Sequence, residues 1–284
     1  MTILCGTDFS APASVAARVA AGIASKLAVP LRLVHVSDRI EDAAVEQVHE
    51  EARRLQSAFD LEAEGLVETG FPDERLASLA SSPGVRLLVV GSLGARRQSR
   101  WLLGSVAERT AQASPVPVLV VRGGSELESW TKGRHVLRVT AGVEPTPGSL
   151  AALRWAKGLR EIGATKLVVA RIVWPVDEHR RMAIPPPIPL DRLRPELESA
   201  LLDETRTWAS EIELGPDVSF IVGAGWGRFD VRLCQVAEEL GPDLLVVGSH
   251  RRAAIARLWQ GSVSRGVLHG APMSVACVPP ATAG

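Results

Sequence analysis

The stretch Leu87-Leu88-Val89-Val90-Gly91-Ser92-Leu93-Gly94 runs from four apolar residues into two glycines, and Gly104-Ser105 follows after nine further residues. A continuous apolar run of this kind is typical of a strand buried on both faces of a parallel sheet. Glycines after a strand let backbone amides approach an anion, and a helix that begins near Ser105 directs its positive end there. The pattern therefore predicts a phosphate-binding loop between a strand and a helix.

The same pattern occurs again 157 positions later in the chain. Leu244 to Val247 leads into Gly248-Ser249, and Gly261-Ser262 follows at the same spacing. The position of Gly94 is taken by Arg251, whose side chain fills space that a close backbone approach needs. The chain is therefore predicted to contain two copies of one unit with unlike loops.

Length and charge agree with a doubled domain that binds a small molecule or a protein. The chain has 284 residues, and a common domain has roughly 100 to 150. Lysine plus arginine and aspartate plus glutamate number 32 each, which gives no overall attraction to nucleic acid or anionic membrane. We find no secretion signal and no apolar stretch long enough to cross a bilayer, so we expect neither nucleic acid nor membrane as a partner.

The cysteines and histidines indicate a reducing compartment and no metal site built by the protein. Cys5, Cys234 and Cys277 are odd in number, widely separated and set in apolar sequence, which argues against disulfides or a zinc knuckle. No pair among the six histidines shows metal-ligand spacing. We expect a cytoplasmic protein.

Apolar runs alternate with helix-period segments in both halves, which predicts an α/β fold with a five-stranded parallel sheet in each half. In the first half we predict strands at Thr2 to Gly6, Leu31 to Val36, Glu64 to Glu68, Leu87 to Val90 and Val116 to Val121. In the second half we predict strands at Val136 to Thr140, Leu167 to Ile172, Val218 to Val222, Leu244 to Val247 and Ser274 to Val278.

The domains are predicted at residues 1–123 and 134–284, joined by a short polar linker from Gly123 to Gly133. The second unit is longer by roughly 22 residues, which fall after Ile172. Six prolines between 174 and 195 disfavour a regular hydrogen-bonded ladder and predict an extended loop there.

Ligands of open parallel sheets bind beyond the carboxyl ends of the strands, where the strand order reverses. The first unit places Gly6-Thr7-Asp8, His35-Val36, Thr69-Gly70 and Gly91 to Gly94 at those ends. Asp8 offers a carboxylate that could accept hydrogen bonds from a ribose or a base. His35 lies between apolar residues and is interpreted as a structural histidine rather than a catalyst.

These residues together resemble the universal stress protein family in its tandem-domain form. The resemblance rests on Thr7-Asp8-Phe9-Ser10, Val34-His35-Val36, the Gly70-x-Pro72 turn and the spaced glycines that end in Gly104-Ser105. It implies two open doubly wound sheets (Rossmann-like, HUP-type) that form a pseudo-dimer within one chain. The last strands of the two sheets, Val116 to Val121 and Ser274 to Val278, are expected to pair edge to edge and so protect each other.

In the nucleotide-binding branch of that family, the matching residues hold ATP, with magnesium. Asp8 and Val36 would flank adenine and ribose, and the glycines with Ser105 would hold the triphosphate. The resemblance therefore implies a binding site made of Gly6, Thr7, Asp8, Val36, Val90, Gly91, Gly94, Gly104, Ser105 and Val106. It implies no catalytic residue.

The second unit departs from this pattern, so we expect weak or absent ATP binding there. Ala141-Gly142-Val143-Glu144 supplies no aspartate, although Glu144 is left open as a substitute. Gly227 is taken to stand in place of Pro72, and Arg251 in place of Gly94.

Several residues at the predicted site also fit a structural role. Ser105 and Glu108 have the spacing of a capping box, and Asp8 could cap the first helix instead of binding a nucleotide. The arginines at 96, 97 and 100 could cover the phosphates or form a solvated face, whereas Trp101 and Trp259 are interpreted as packing residues.

A dinucleotide-binding fingerprint at Gly223 to Gly227 is rejected, because Arg228 occupies the position of its third glycine.

The main hypothesis is a cytosolic stress-response protein that binds ATP in its first domain as a sensor or regulator, and is not an enzyme. Slow hydrolysis or self-phosphorylation at Ser92, Ser99 or Ser105 is a minor alternative. The alternative from another class is a nucleotide-free scaffold in which both domains pair with partner proteins. Whether two chains form a homodimer is left open.

Overall fold

The computed structural model describes residues 1–93, 103–189, 191–249 and 263–280. Its first half contains β1 Thr2–Thr7, α1 Ala11–Lys26, β2 Leu31–Ser37, α2 Asp42–Phe59, β3 Ala63–Thr69, α3 Pro72–Ala80, β4 Val85–Gly91, α4 Ser105–Ala113 and β5 Val118–Val121. A helix, α5 Ser125–Thr131, connects the halves.

The second half repeats the order with an insertion. It contains β6 Leu137–Val143, α6 Pro147–Gly158 with a 3-10 turn Leu159–Glu161, β7 Thr165–Val173, α7 Pro175–Arg181, α8 Pro195–Ala209, β8 Val218–Ala224, α9 Phe229–Leu240, β9 Leu244–Gly248, α10 Val263–Gly270 and β10 Ser274–Val278. Each predicted strand overlaps an observed one. No helix in the described ranges is both long enough and apolar enough to cross a membrane.

The ten strands form one continuous sheet in the order β3-β2-β1-β4-β5-β10-β9-β6-β7-β8. Neighbouring strands are parallel within each half, and β5 and β10 pair in antiparallel fashion, with Val120 opposite Val275 and Val118 opposite Cys277. The predicted fold class and the predicted edge-to-edge pairing are therefore confirmed. In the first half, the strand order reverses between β1 and β4, and in the second half between β6 and β9.

The segment from Gly123 to Gly133, predicted as a short polar linker, contains the helix α5 and is partly buried. Its Leu127 and Trp130 are each 1% exposed and belong to a core that includes residues of both halves. Leu127, Trp130 and Thr131 have i, i+3, i+4 spacing, so one face of this short helix can be buried. Gly22 of α1 leaves room for Thr131, whose side chain lies where a Cβ would project.

The insertion prediction was wrong at its start, where an extended loop was expected and α7 forms instead. Pro175 occupies the first helical turn, a position that needs no intrahelical N–H donor. The following residues pack on a small separate core around Val173, Leu197 and Leu201. Only the irregular segment before α8 behaves as the prolines predict.

The burial of Trp130 predicts a stability contrast between two tryptophans. Trp130→Ala should lower the free energy of unfolding by about 3 to 5 kcal/mol, because it leaves a large cavity in the shared core. Trp226→Ala, at a side chain that is 63% exposed, should cost less than about 1 kcal/mol. Urea unfolding followed by circular dichroism measures both values, and equal losses would contradict the assignment of α5 to the core.

Candidate functional site

A cavity of about 500 Å³ opens at the carboxyl edge of the first-half sheet, where the strand order reverses between β1 and β4. It is lined by every predicted binding residue within the described ranges: Gly6, Thr7, Asp8, Val36, Val90, Gly91, Gly104, Ser105 and Val106. The structure thus brings residues from four separate segments of the chain to one place.

The cavity is also lined by residues outside the predicted binding set, namely Ala13, Val34, Pro72, Leu76, Leu93 and Ala107. Periodicity could have found two of them. Val34 lies two positions before Val36 on the same strand, and Leu76 lies four positions after Pro72 on the same helix, so each shares a face with its predicted neighbour. These additions make the walls of the cavity mainly apolar, with Thr7, Asp8 and Ser105 as its polar side chains.

Some predicted residues lie outside the described ranges. They are Gly94, Arg96, Arg97, Ser99, Arg100, Trp101, Arg251, Trp259, Gly261 and Ser262. The loop contrast between Gly94 and Arg251 therefore stays a prediction from sequence.

The turn after β1 is held by short-range hydrogen bonds. The Phe9 amide donates to the Thr7 hydroxyl at 3.1 Å, and the Ser10 amide donates to Asp8 Oδ1 at 3.1 Å. The Ser10 hydroxyl accepts a hydrogen bond from the Ala13 amide at 3.3 Å, so Ser10, and not Asp8, is the N-cap of α1. Asp8 is exposed at the cavity instead.

His35 and Glu51 support this turn from β2 and α2. His35 Nδ1 lies 3.0 Å from the Thr7 carbonyl oxygen, and its ring stacks on Phe9 with centroids 4.5 Å apart. Phe9 has a φ of 60°, which is unusual for a bulky residue, and the stacked ring packs against it in that conformation. Burial raises the pKa of the Glu51 carboxyl, while hydrogen bonds with Ser14 and Thr7 oppose that rise. The geometry of His35 agrees with a structural role.

The helix α4 begins at the cavity without a side-chain cap. Its N-cap is Gly104, whose amide donates to the Ser92 carbonyl at 2.8 Å, and Ser105 is the first helical residue. The capping-box interpretation was therefore wrong: Glu108 does not turn back to the start of its own helix but pairs with α10. The first amides of α4, which have no intrahelical partners, lie where the cavity is lined by Ser105 and Val106.

Burial tends to raise the pKa of Glu108, but hydrogen bonds from His269 and Arg265 outweigh that effect. The pKa of this carboxyl is therefore below its ordinary value, and Glu108 is ionised at neutral pH. Its Oε1 lies 2.7 Å from Arg265 Nε, and its Oε2 lies 3.1 Å from His269 Nε2. Both of these partners come from the second half of the chain.

The glycine that ends β4 has a packing reason of its own. A Cβ on Gly91 would lie 3.1 Å from the carbonyl oxygen of Pro12, at the start of α1. Gly248 of β9 faces Gly148 of α6 in the same way, at 2.8 Å. A glycine at the end of this strand therefore permits a helix to pack closely against it in both halves, and its presence does not by itself indicate a ligand.

The second half places different groups at the equivalent edge. The strand registers align Cys5 with Ala141, so Glu144 stands at the position of Asp8. Glu144 is exposed, and its amide donates a hydrogen bond to Ser149 Oγ at 3.0 Å. The strand registers place Gly227 at the position of Pro72, as the sequence predicts. The loop before α9 is longer than the loop before α3, so this helix begins later, at Phe229.

A buried carboxylate also lies beside α10. Asp230 is mostly buried, forms an ion pair with Arg228, and fills the space where a Cβ on Gly266 would lie. In the first half, Arg109 stands at the position of Gly266 and forms an ion pair with Asp73 at 2.9 Å.

Comparison with known protein families identifies the same repeated unit in both halves of the chain. The model of the universal stress protein family matches residues 1–122 and 136–279. The chain belongs to the universal stress protein family. A universal stress protein from Mycolicibacterium smegmatis is 28% identical over 98% of this chain and 97% of its own length. A shorter one from Thermus aquaticus is 33% identical over 43% of this chain and 98% of its own length.

A solved structure shows the same architecture over nearly the whole chain. The crystal structure of a universal stress protein from Archaeoglobus fulgidus is similar over 99% of this chain and 98% of its own, with a TM-score of 0.69 and 18% identity. A universal stress protein crystallised in complex with cAMP matches 43% of this chain and 96% of its own at 29% identity, with a TM-score of 0.38. The tandem form of the family fold is thus shown for the whole chain.

The packing role of Gly91 predicts opposite effects for two glycine substitutions. Gly91→Ala should destabilise this universal stress protein by about 1 to 3 kcal/mol, because backbone atoms of α1 must move away from the new methyl group. Gly158→Ala, at a helical position with nothing within 4 Å, should be neutral or stabilise by up to about 1 kcal/mol. Thermal unfolding of both variants distinguishes the two, and a neutral Gly91→Ala would contradict the close approach.

Proposed function

We propose that this universal stress protein binds ATP, with Mg²⁺, in the cavity between β1 and β4, and acts as a cytosolic sensor or regulator in a stress response. The observation that carries the proposal is the convergence of all described predicted residues on one cavity. The three cysteines are buried free thiols, as expected for a protein of a reducing compartment.

The chemistry of the lining fits a nucleotide. Val34, Val36, Pro72 and Leu76 offer apolar walls for a flat base, and about 500 Å³ lies within the size range of small-molecule sites. The Asp8 carboxylate at the cavity is placed to accept hydrogen bonds from ribose hydroxyls. At the other end, the uncapped amides of α4 and the Ser105 hydroxyl are suited to phosphate oxygens.

Magnesium would bind through the phosphates and not in a cage of side chains. Among the described residues, no group of three or more His, Cys, Asp or Glu side chains could hold a metal ion. Mg²⁺ commonly keeps several waters and is bound largely by substrate phosphates, so such a site needs few protein ligands.

The site is suited to binding rather than to catalysis. Asp8 is the one titratable side chain among the described lining residues. Its carboxylate already accepts a hydrogen bond from the Ser10 amide, and no histidine, lysine or cysteine lies beside it in that lining. Ser92 is buried and Ser105 is exposed, so Ser105 would be the better acceptor in any slow self-phosphorylation. Bound ATP would act by favouring one conformation of the cavity loops.

A nucleotide-free scaffold is the second candidate, and one observation favours it. The glycines at Gly6 and Gly91 are explained by packing, because a Cβ at either position would crowd Leu76 or α1. The motif could therefore persist for the fold alone. Measured binding of ATP by the purified protein distinguishes the two functions.

The proposed ribose contact predicts a difference between two matched carboxylates. Asp8→Ala should weaken ATP binding by about 10- to 100-fold, the effect of losing hydrogen bonds to a charged group. Glu144→Ala, at the matching position of the second half, should leave the affinity unchanged. Isothermal titration calorimetry with ATP, ADP and cAMP measures this, and mass analysis shows whether a nucleotide co-purifies. A wild-type protein that binds none of them would refute the proposal, and a preference for cAMP would change the ligand.

The loop contrast between the halves predicts that Gly94→Arg abolishes ATP binding, because it copies the residue of the second half. Gly158→Arg adds the same charge at an open helical position away from the cavity and is the control. Unchanged ATP affinity in Gly94→Arg, with normal affinity in the control, would remove the phosphate role of this loop.

A further inference from the structure

Glu108 lies in the first turn of α4, the helix that begins at the cavity, and it is the acidic residue of that turn. Helical side chains lean toward the N terminus of their own helix. A Glu108 carboxylate without other partners would therefore approach the α4 amides, which is the arrangement that the Ser105–Glu108 spacing predicts as a capping box. In that arrangement, the carboxylate would compete with a phosphate for the same donors.

The structure shows Glu108 turned to the second half of the chain instead. Its Oε1 lies 2.7 Å from Arg265 and its Oε2 lies 3.1 Å from His269, both on α10, and Gln112 of its own helix donates to Oε1 at 3.3 Å. The Glu108 side chain is 17% exposed, so this interaction is screened less than an ordinary surface ion pair. The α4 N terminus is left without a side-chain cap.

The two copies of the unit have acquired opposite charges at this contact. Glu108 and Arg265 lie at the same separation along the chain from Gly91 and Gly248, the glycines that end β4 and β9, and Gln112 and His269 also match each other. Two identical units paired in this way would place Glu108 opposite a second Glu108, and the two carboxylates would repel each other. A fused pair can carry the acid Glu108 on one helix and the cation Arg265 on the other.

We propose that Arg265 and His269 of the second domain keep the α4 amides available to phosphate by holding the Glu108 carboxylate away from them. The inference rests on the proposed nucleotide site and deepens it. It gives the second half a function in ligand binding that needs no nucleotide of its own. Arg265, His269 and Glu108 are positioning residues, since they act through the first turn of α4.

A set of variants of the full chain tests this. The double variant Arg265→Ala with His269→Ala removes both α10 partners of Glu108 and leaves it the neutral Gln112 amide. It should bind MgATP about 2- to 5-fold more weakly, the effect of one charge at a helix N terminus. Glu108→Ala alone should bind MgATP at least as tightly as wild type. Adding Glu108→Ala to the double variant should restore wild-type affinity, because alanine cannot occupy the amides.

Two controls separate this mechanism from a loss of structure. Adenosine carries no phosphate, so its affinity should be the same in all variants. Arg206→Gln removes a cation from the exposed Arg206–Asp203 pair on α8 and should change neither affinity. Thermal unfolding of each variant reports the cost to the domain interface independently of any ligand.

The outcomes are distinct. An equal loss of adenosine and MgATP affinity in the double variant would mean a structural effect and would overturn the inference. So would unchanged MgATP affinity, or a loss that persists when Glu108→Ala is added. If the wild-type protein binds neither MgATP nor adenosine, the proposed function itself fails, and the inference fails with it.

Discussion

The antiparallel pairing of β5 with β10 is the interaction on which the rest of the molecule depends. Each open parallel sheet ends in a strand whose outer edge would otherwise expose unpaired backbone groups, and the two edges satisfy each other. Arg122, directly after β5, reinforces the junction. Its guanidinium donates to the carbonyl oxygens of Leu268 and Ala271 at the end of α10, and its amide donates to Ser274 Oγ at 3.0 Å.

This junction fixes α4 and α10 against each other and thereby connects the site of the first half to the second half. Burial lowers the pKa of Arg122, yet its guanidinium still has carbonyl partners at the end of a helix, where a positive charge is favourable. The Glu108 contacts lie beside the same junction. The pairing that makes the fold therefore also brings Arg265 and His269 to the first turn of the helix that faces the cavity.

The two halves share a framework and differ in the groups placed on it. The close approach of α1 to Gly91 and of α6 to Gly248 is the same in both, which shows that part of the glycine pattern serves packing. The differences lie at the edge of the sheet. Glu144 stands at the position of Asp8, and Phe229 begins α9 as Pro72 begins α3. Where Asp73 forms an ion pair with Arg109, Asp230 packs against Gly266. The two halves therefore share their backbone geometry and differ in the side-chain chemistry at the edge of the sheet.

The sequence by itself determined the α/β class, the doubling, the strands and most of the residues that line the first-half cavity, because buried strands and motif spacing are local properties of the chain. It did not determine α5, since Leu127 and Trp130 look like linker residues until both halves pack on them. Nor did it determine the partner of Glu108: local spacing favours Ser105, whereas the tertiary structure supplies Arg265 and His269. The physical reason is that a cation from a distant helix, fixed beside the carboxylate by the joined sheets, replaces the weaker local cap.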